Sequence, residues 1–141
     1  MATVELSFTA LPAHVRTARL VATAVARRSG VDESLLDEVR LAVGEACSRA
    51  VEGHLLYCPA EPVRLALTES AGRFEVEVTD TCERGEDPAG PGAASSSAAD
   101  SRIGAGLGIA VIEGLADDVE IRETPEGTSI RMSWPLAEAA R

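Results

Sequence analysis

The feature that most constrains this chain is the change of hydrophobic period along it. Val4, Leu6 and Phe8 alternate with Glu5, Ser7 and Thr9, the two-residue period of a half-buried strand. From Pro12 to Arg28 the period lengthens: Val15, Ala18, Leu20, Val21, Ala24 and Val25 recur at helical spacing. Pro12 suits a first helical turn and Gly30 a helix end. A second helical stripe starts at an Asp32 cap and runs through Leu35, Leu36, Val39, Leu41, Ala42, Ala46, Ala50 and Val51 to about Glu52, where Gly53 is expected to stop it.

The period then returns to two. Val63, Leu65 and Leu67 form one alternating run and Phe74, Val76 and Val78 another, separated by 69-ESAG-72, and together they predict a hairpin. After Asp80, 83-ERGEDPAGPGAASSSAADS-101 has no apolar periodicity. The core pattern resumes beyond it, so the stretch reads as a lid loop (83–103) within one domain spanning 1–141. Glycines 104, 106 and 108 lead into 107-LGIAVIEGLAD-117, with Leu107, Val111 and Leu115 expected on a buried helix face. Strands around Val119–Ile121 and Ile130–Trp134 follow, joined by a turn at 124-TPEG-127, and the tail past Pro135 is expected to fray. This order predicts an α+β two-layer sandwich, a mostly antiparallel mixed sheet with three helices on one face.

Composition excludes several function classes. A net charge of -10 argues against a nucleic-acid binder, because phosphate-backbone affinity rests on clustered positive charge. No apolar run spans a bilayer and no signal peptide opens the chain, so no membrane role and a cytoplasmic location are expected. All 13 basic residues are arginine, and lysine, asparagine and glutamine are absent, which a GC-rich coding bias explains. Cys47, Cys58 and Cys82 show no paired metal-ligand spacing, with only His14 and His54 as co-ligands; they read as reduced structural thiols, and no metal site is expected.

Three local features carry chemistry. The segment 104-GAGLG-108 (Gly104, Ala105, Gly106, Leu107, Gly108) can present backbone N–H groups and a helix N-terminus to an anion, or merely connect loop to helix. Asp80, ending a strand, can accept a hydrogen bond from the amine or ring N–H of a base, or simply start a turn. Glu45 can act as general base toward a hydroxyl, or form an ordinary helix-surface pair with Arg49 one turn on.

Taken in order, 38-EVRLAVGEACSRAV-51, 76-VEVTD-80, 104-GAGLGIAVIEGLADDVEI-121 and 127-GTSIRM-132 resemble the GHKL ATPase superfamily, in particular anti-sigma-factor serine kinases of the RsbW type. The resemblance covers nearly the whole chain. It implies that Glu45 corresponds to the base of an E-x-x-x-N box, that Asp80 reads the nucleotide base, and that 104–108 and Thr128 face the phosphates. It also implies a STAS-domain anti-anti-sigma partner, a sigma factor as a further partner, and homodimerisation.

Two departures change what the resemblance implies. Arg49 stands where the family has the Mg²⁺-holding Asn, and a guanidinium has donors only and no lone pair for a metal. Cys82 and Arg84 stand where the family has the glycines of D-x-G-x-G. The expectation is therefore a regulator with kinase turnover lost. Its pocket requires no cofactor and takes a nucleotide-type ligand (ADP, ATP or a nucleotide-sugar) without Mg²⁺, Arg49 supplying the positive charge. An active serine protein kinase and a ligand-free interaction module are the competing readings.

Overall fold

A computed structural model of the chain describes residues 2–82, 108–125 and 127–137. The elements in order are β1 (Ala2–Phe8), α1 (Pro12–Ser29), α2 (Glu33–Tyr57), β2 (Val63–Ser70), β3 (Arg73–Thr79), α3 (108–115), β4 (Asp118–Thr124) and β5 (Gly127–Pro135). The expected lid 83–103 and the glycine segment 104–107 lie outside the described residues, as do 138–141.

The strands form a five-stranded sheet ordered β1-β2-β3-β5-β4, and each of its four ladders is antiparallel. Register explains why one face is dry. Leu65 lies opposite Val78, Val78 opposite Ile130, and Ile130 opposite Ile121, while Leu67, Val76, Met132 and Val119 form the next row. Because side chains alternate across a strand, these rows share one face, and α1, α2 and α3 cover it. Phe74 and Trp134 close the row at the hairpin end, ring centroids 6.4 Å apart, and the Trp134 indole N–H donates to the Leu115 carbonyl of α3 at 3.1 Å. The opposite face carries Glu75, Glu120 and Arg131, joined by ion pairs of 3.8 and 3.2 Å. No helix is long and apolar enough to cross a membrane among the described residues.

Local chemistry sets most boundaries. Pro12 occupies the first turn of α1, and Gly30 ends it at φ 108, its N–H reaching the Ala26 carbonyl at 3.1 Å. The Asp32 carboxylate caps α2 through the Ser34 N–H at 2.9 Å and is held below its ordinary range by the bonds from Ser34. The hairpin turn is tighter than 69-ESAG-72 suggests: both strands run on to Ser70 and Arg73, leaving Ala71 (φ 55) and Gly72 (φ 78) as a two-residue turn with positive φ at both positions.

Two expectations are corrected. Gly53 does not stop α2, which continues to Tyr57. The extra turn is held because His54 is fully buried and hydrogen-bonded, which outweighs the roughly 1 kcal/mol propensity cost of an interior glycine. On α3 the buried face is offset from Leu107, Val111 and Leu115. Ile112 is fully buried and Gly108 and Leu115 flank it at helical spacing, while Val111 is 47% exposed. Leu107 lies outside the described residues.

Candidate functional site

β3 ends where β5 begins, and this juncture positions Asp80. Its backbone N–H donates to the Thr128 carbonyl at 2.9 Å, extending the ladder by one bond. Its side chain is 4% exposed, turned to the helix-covered side, and Oδ1 accepts from the Cys82 N–H at 3.0 Å. Gly127 makes the close approach possible. At φ 147 it lies in backbone space that favours glycine, and a Cβ there would collide with the Asp80 carbonyl and sit 2.9 Å from Oδ1. Asp80 and Thr128, singled out separately in the sequence, are thus neighbours.

α2 brings in Glu45. It is half-buried, and its Oε2 lies 2.7 Å from where a Cβ on Gly108 would be, so the start of α3 packs directly on this carboxylate. Any side chain at 108 would have to displace it. Gly108 and Glu45 therefore meet, whereas Gly104, Ala105, Gly106 and Leu107 lie outside the described residues.

Arg49, one turn after Glu45, does not form the routine helix pair. No ion pair joins the two among the described residues. The Arg49 Nε is buried and has no hydrogen-bond partner among them, although the residue as a whole is only half-buried. A desolvated N–H on a cation without an acceptor is costly, so the position favours an anionic or carbonyl partner. It does not fit Mg²⁺: the only polar groups Arg49 offers are donors.

The sequence reading considered His54 only as a metal co-ligand and missed its place in the core. It continues the buried stripe of α2 at 0% exposure, and both ring nitrogens are engaged. The Thr81 N–H donates to Nε2 at 3.0 Å, which leaves the ring proton on Nδ1 to donate to the Glu61 carbonyl at 2.8 Å. Asp80 Oδ1 is 4.0 Å from Nε2. The one available signal was a histidine three residues past the last clear apolar position of the stripe.

The cysteines also need correction. Cys58 and Cys82 are joined in a disulfide with Cα atoms 5.7 Å apart, and Cys47 is the free thiol among the three. The continuation of α2 past Gly53 delivers Cys58, and the turn after Asp80 delivers Cys82 to it. Cys47 is buried between α1 and α2, and burial pushes its thiol up to about 12 against a smaller opposing pull from Arg19.

A cleft of about 360 Å³ touches this region from the open face of the sheet, lined by Arg64, Thr79, Asp80, Arg122, Thr128 and Ser129 among others. Glu45, Arg49 and Gly108 are not in its lining.

Residues 8–134 match the family model described as a histidine kinase-like ATPase domain, which covers most of the chain. The chain belongs to this family. Among histidine kinase-like ATPase domains it is similar to serine-protein kinase RsbW of Listeria monocytogenes, 28% identical over 140 residues covering 96% of this chain and 88% of that protein. Serine-protein kinase RsbW of Oceanobacillus iheyensis is likewise 28% identical, over 96% of this chain and 87% of its own length. A crystal structure of the RsbU and RsbW domains of Rv1364c from Mycobacterium tuberculosis superposes with a TM-score of 0.70 at 20% identity over 100% of this chain, which shows the shared fold. The chain spans 34%, about a third, of that solved chain.

Proposed function

We propose that this chain is an RsbW-like regulator in which kinase turnover has been lost. It holds a nucleotide-type ligand without Mg²⁺ and works by binding a STAS-domain anti-anti-sigma factor, with a sigma factor as the further partner. The observation that carries this reading is Arg49: it occupies the metal-ligand position of the E-x-x-x-N box, forms no ion pair with Glu45, and has a buried Nε without an acceptor among the described residues. Phosphoryl transfer depends on positioning and on charge neutralisation over the phosphate oxygens. A fixed guanidinium supplies charge for binding but not the bridging metal that aligns the transferred group.

On this reading Asp80 recognises the base, accepting from the N6 amine of adenine or the imide N–H of uracil. Thr128 and Gly108 flank the phosphates with the rest of 104–108, and Arg49 contacts them. The ligand is ADP, ATP or a nucleotide-sugar. Calorimetry with these ligands, with and without Mg²⁺, tests the proposal. Binding that is indifferent to Mg²⁺ and falls roughly 10- to 100-fold in Arg49→Ala is expected, the strength of a charge-assisted hydrogen bond. Absence of binding by all of them sinks the nucleotide part and leaves an interaction module.

Glu45 favours a second reading, because the base of an active serine protein kinase survives and stands against the start of α3. Incubation with radiolabelled ATP and a STAS partner separates the two. Phosphate incorporation that Glu45→Ala abolishes establishes the kinase and overturns the loss of turnover.

A further inference from the structure

The side chains of His54, Cys58 and Cys82 contact no ligand in the nucleotide reading, yet they form the one His/Cys cluster with metal-ligating atoms close together among the described residues. Their ligating atoms all lie within 4.8 Å of one another. We propose that, once the Cys58–Cys82 bond is reduced, His54, Cys58 and Cys82 bind a Zn²⁺ ion.

The imidazole is already arranged as a metal-binding histidine should be. Its Nδ1–H donates to the Glu61 carbonyl at 2.8 Å, which fixes the tautomer with the lone pair on Nε2. Zinc-bound histidines commonly use such a bond from the other ring nitrogen. Nε2 now accepts the Thr81 N–H at 3.0 Å, and the metal takes that place. His54 and Cys58 lie four residues apart at the end of α2, and Cys82 is delivered by the Asp80 turn, so one ligand pair is local and the third comes from across the fold. Tetrahedral zinc with bonds of about 2.3 Å to sulfur and 2.0–2.1 Å to nitrogen needs ligand atoms roughly 3.5 Å apart; the two sulfurs, bonded to each other now, part on reduction, and both already lie within 4.8 Å of the imidazole nitrogen. Asp80 Oδ1 lies 4.0 Å from Nε2 but is held by the Cys82 N–H, so a water completes the coordination. Cys58 is only half-buried and offers a way in.

The chemistry balances in two steps. A dithiol reductant passes two electrons and two protons to the disulfide, yielding two thiols on this chain and a disulfide on the reductant. Zn²⁺ then displaces both thiol protons to solution and bonds two thiolates and the neutral imidazole Nε2. In a reducing compartment, where disulfides are rare, this is the state the pair would occupy.

The test uses the full chain and Co²⁺ as a spectroscopic substitute for Zn²⁺. After anaerobic reduction with a phosphine, one equivalent of Co²⁺ is expected to produce thiolate-to-cobalt charge-transfer and intense tetrahedral d–d bands, which one equivalent of Zn²⁺ removes. The oxidised chain produces neither. Cys47→Ser keeps the bands, while Cys58→Ser and Cys82→Ser lose them, with Trp134 fluorescence confirming that each variant is folded. Absence of bands in the reduced chain, or their persistence in Cys58→Ser, overturns the site. The oxidised-against-reduced comparison decides the matter without any variant, and it is independent of whether a nucleotide binds.

Discussion

The contact between Gly127 and Asp80 allows a sharp test, because a second glycine isolates one of its two components. In Gly127→Ala the new residue must hold φ 147, and its Cβ must share space with the Asp80 carbonyl. The backbone strain alone costs about 1–3 kcal/mol. Relieving the overlap requires the end of β3 to part from the start of β5, which breaks the 2.9 Å bond from the Asp80 N–H to the Thr128 carbonyl and adds about 0.5–1.5 kcal/mol. A total of about 2–4 kcal/mol corresponds to a Tm lowered by roughly 6–15 °C for a domain of this size. Gly72→Ala is the control. Gly72 also has positive φ, 78, but nothing lies within 4 Å of a Cβ built there, so only the left-handed backbone cost of about 1–2 kcal/mol applies. Thermal unfolding followed by circular dichroism should therefore show Gly127→Ala losing clearly more than Gly72→Ala. Calorimetry well below both melting points should show weakened nucleotide binding in the first alone. Equal melting temperatures would refute the argument that Asp80 is positioned by the absence of a side chain at 127, whatever the pocket binds.

Three further outcomes are expected. Trp134→Phe removes the N–H that satisfies the Leu115 carbonyl and should cost about 1–3 kcal/mol in urea unfolding; a loss under about half a kcal/mol refutes the importance of that bond. Reducing the disulfide in the presence of a chelator opens a loop of sequence separation 24 and should destabilise the fold by about 3 kcal/mol; an unchanged Tm counts against a native cross-link. The Cys47 thiol, raised to about 12 from 9.0, should resist alkylation in the folded oxidised chain and react once on unfolding. Because its folded value is the higher, its contribution is complete below pH 9.0 and is lost as the pH rises toward 12, so Cys47→Ala should narrow the alkaline fall in stability.

Periodicity made the layers legible because it records burial, and burial here follows strand and helix geometry closely. The inward residues of β2 and β3 are the alternating apolar positions of the sequence, and Pro12, Gly30 and Asp32 mark helix ends by local chemistry. What escaped depends on contacts distant in sequence. Gly53 reads as a stop only if nothing holds the next turn, and what holds it includes the Thr81 N–H at the far end of β3. The same contact turns His54 from a helix-end polar residue into a buried one. The disulfide required both the extra turn of α2 and the turn after Asp80, neither visible in cysteine spacing. Motif order singled out Glu45, Asp80, Gly108 and Thr128, but did not show that the fold would set Asp80 beside Thr128 and Glu45 beside Gly108. The absence of a Glu45–Arg49 ion pair among the described residues was not legible either, since a neighbour four residues away on a helix is within reach without being bonded.

Cys82 changes meaning once its partner is known. Alone it reads as a lost glycine, a residue obstructing close approach to a ligand. In the fold its N–H holds Asp80 Oδ1 and its sulfur ties the same turn to the end of α2. The carboxylate is thus oriented by its own chain before any ligand arrives, and the turn is anchored to the helix that bears Glu45 and Arg49. A glycine-rich turn serves a site that must reshape around a metal-bound nucleotide during turnover; a cross-linked turn suits a site that holds one geometry. On the proposed reading Arg49 acts in the same direction, supplying fixed charge in place of an exchangeable metal. On the proposed reading the two departures are one change, from a pocket that cycles to a pocket that binds. Restoring either alone should then be insufficient: Arg49→Asn with the turn still cross-linked is expected to gain Mg²⁺-dependent affinity without phosphate transfer, and transfer by that single variant would show that the turn does not limit the chemistry.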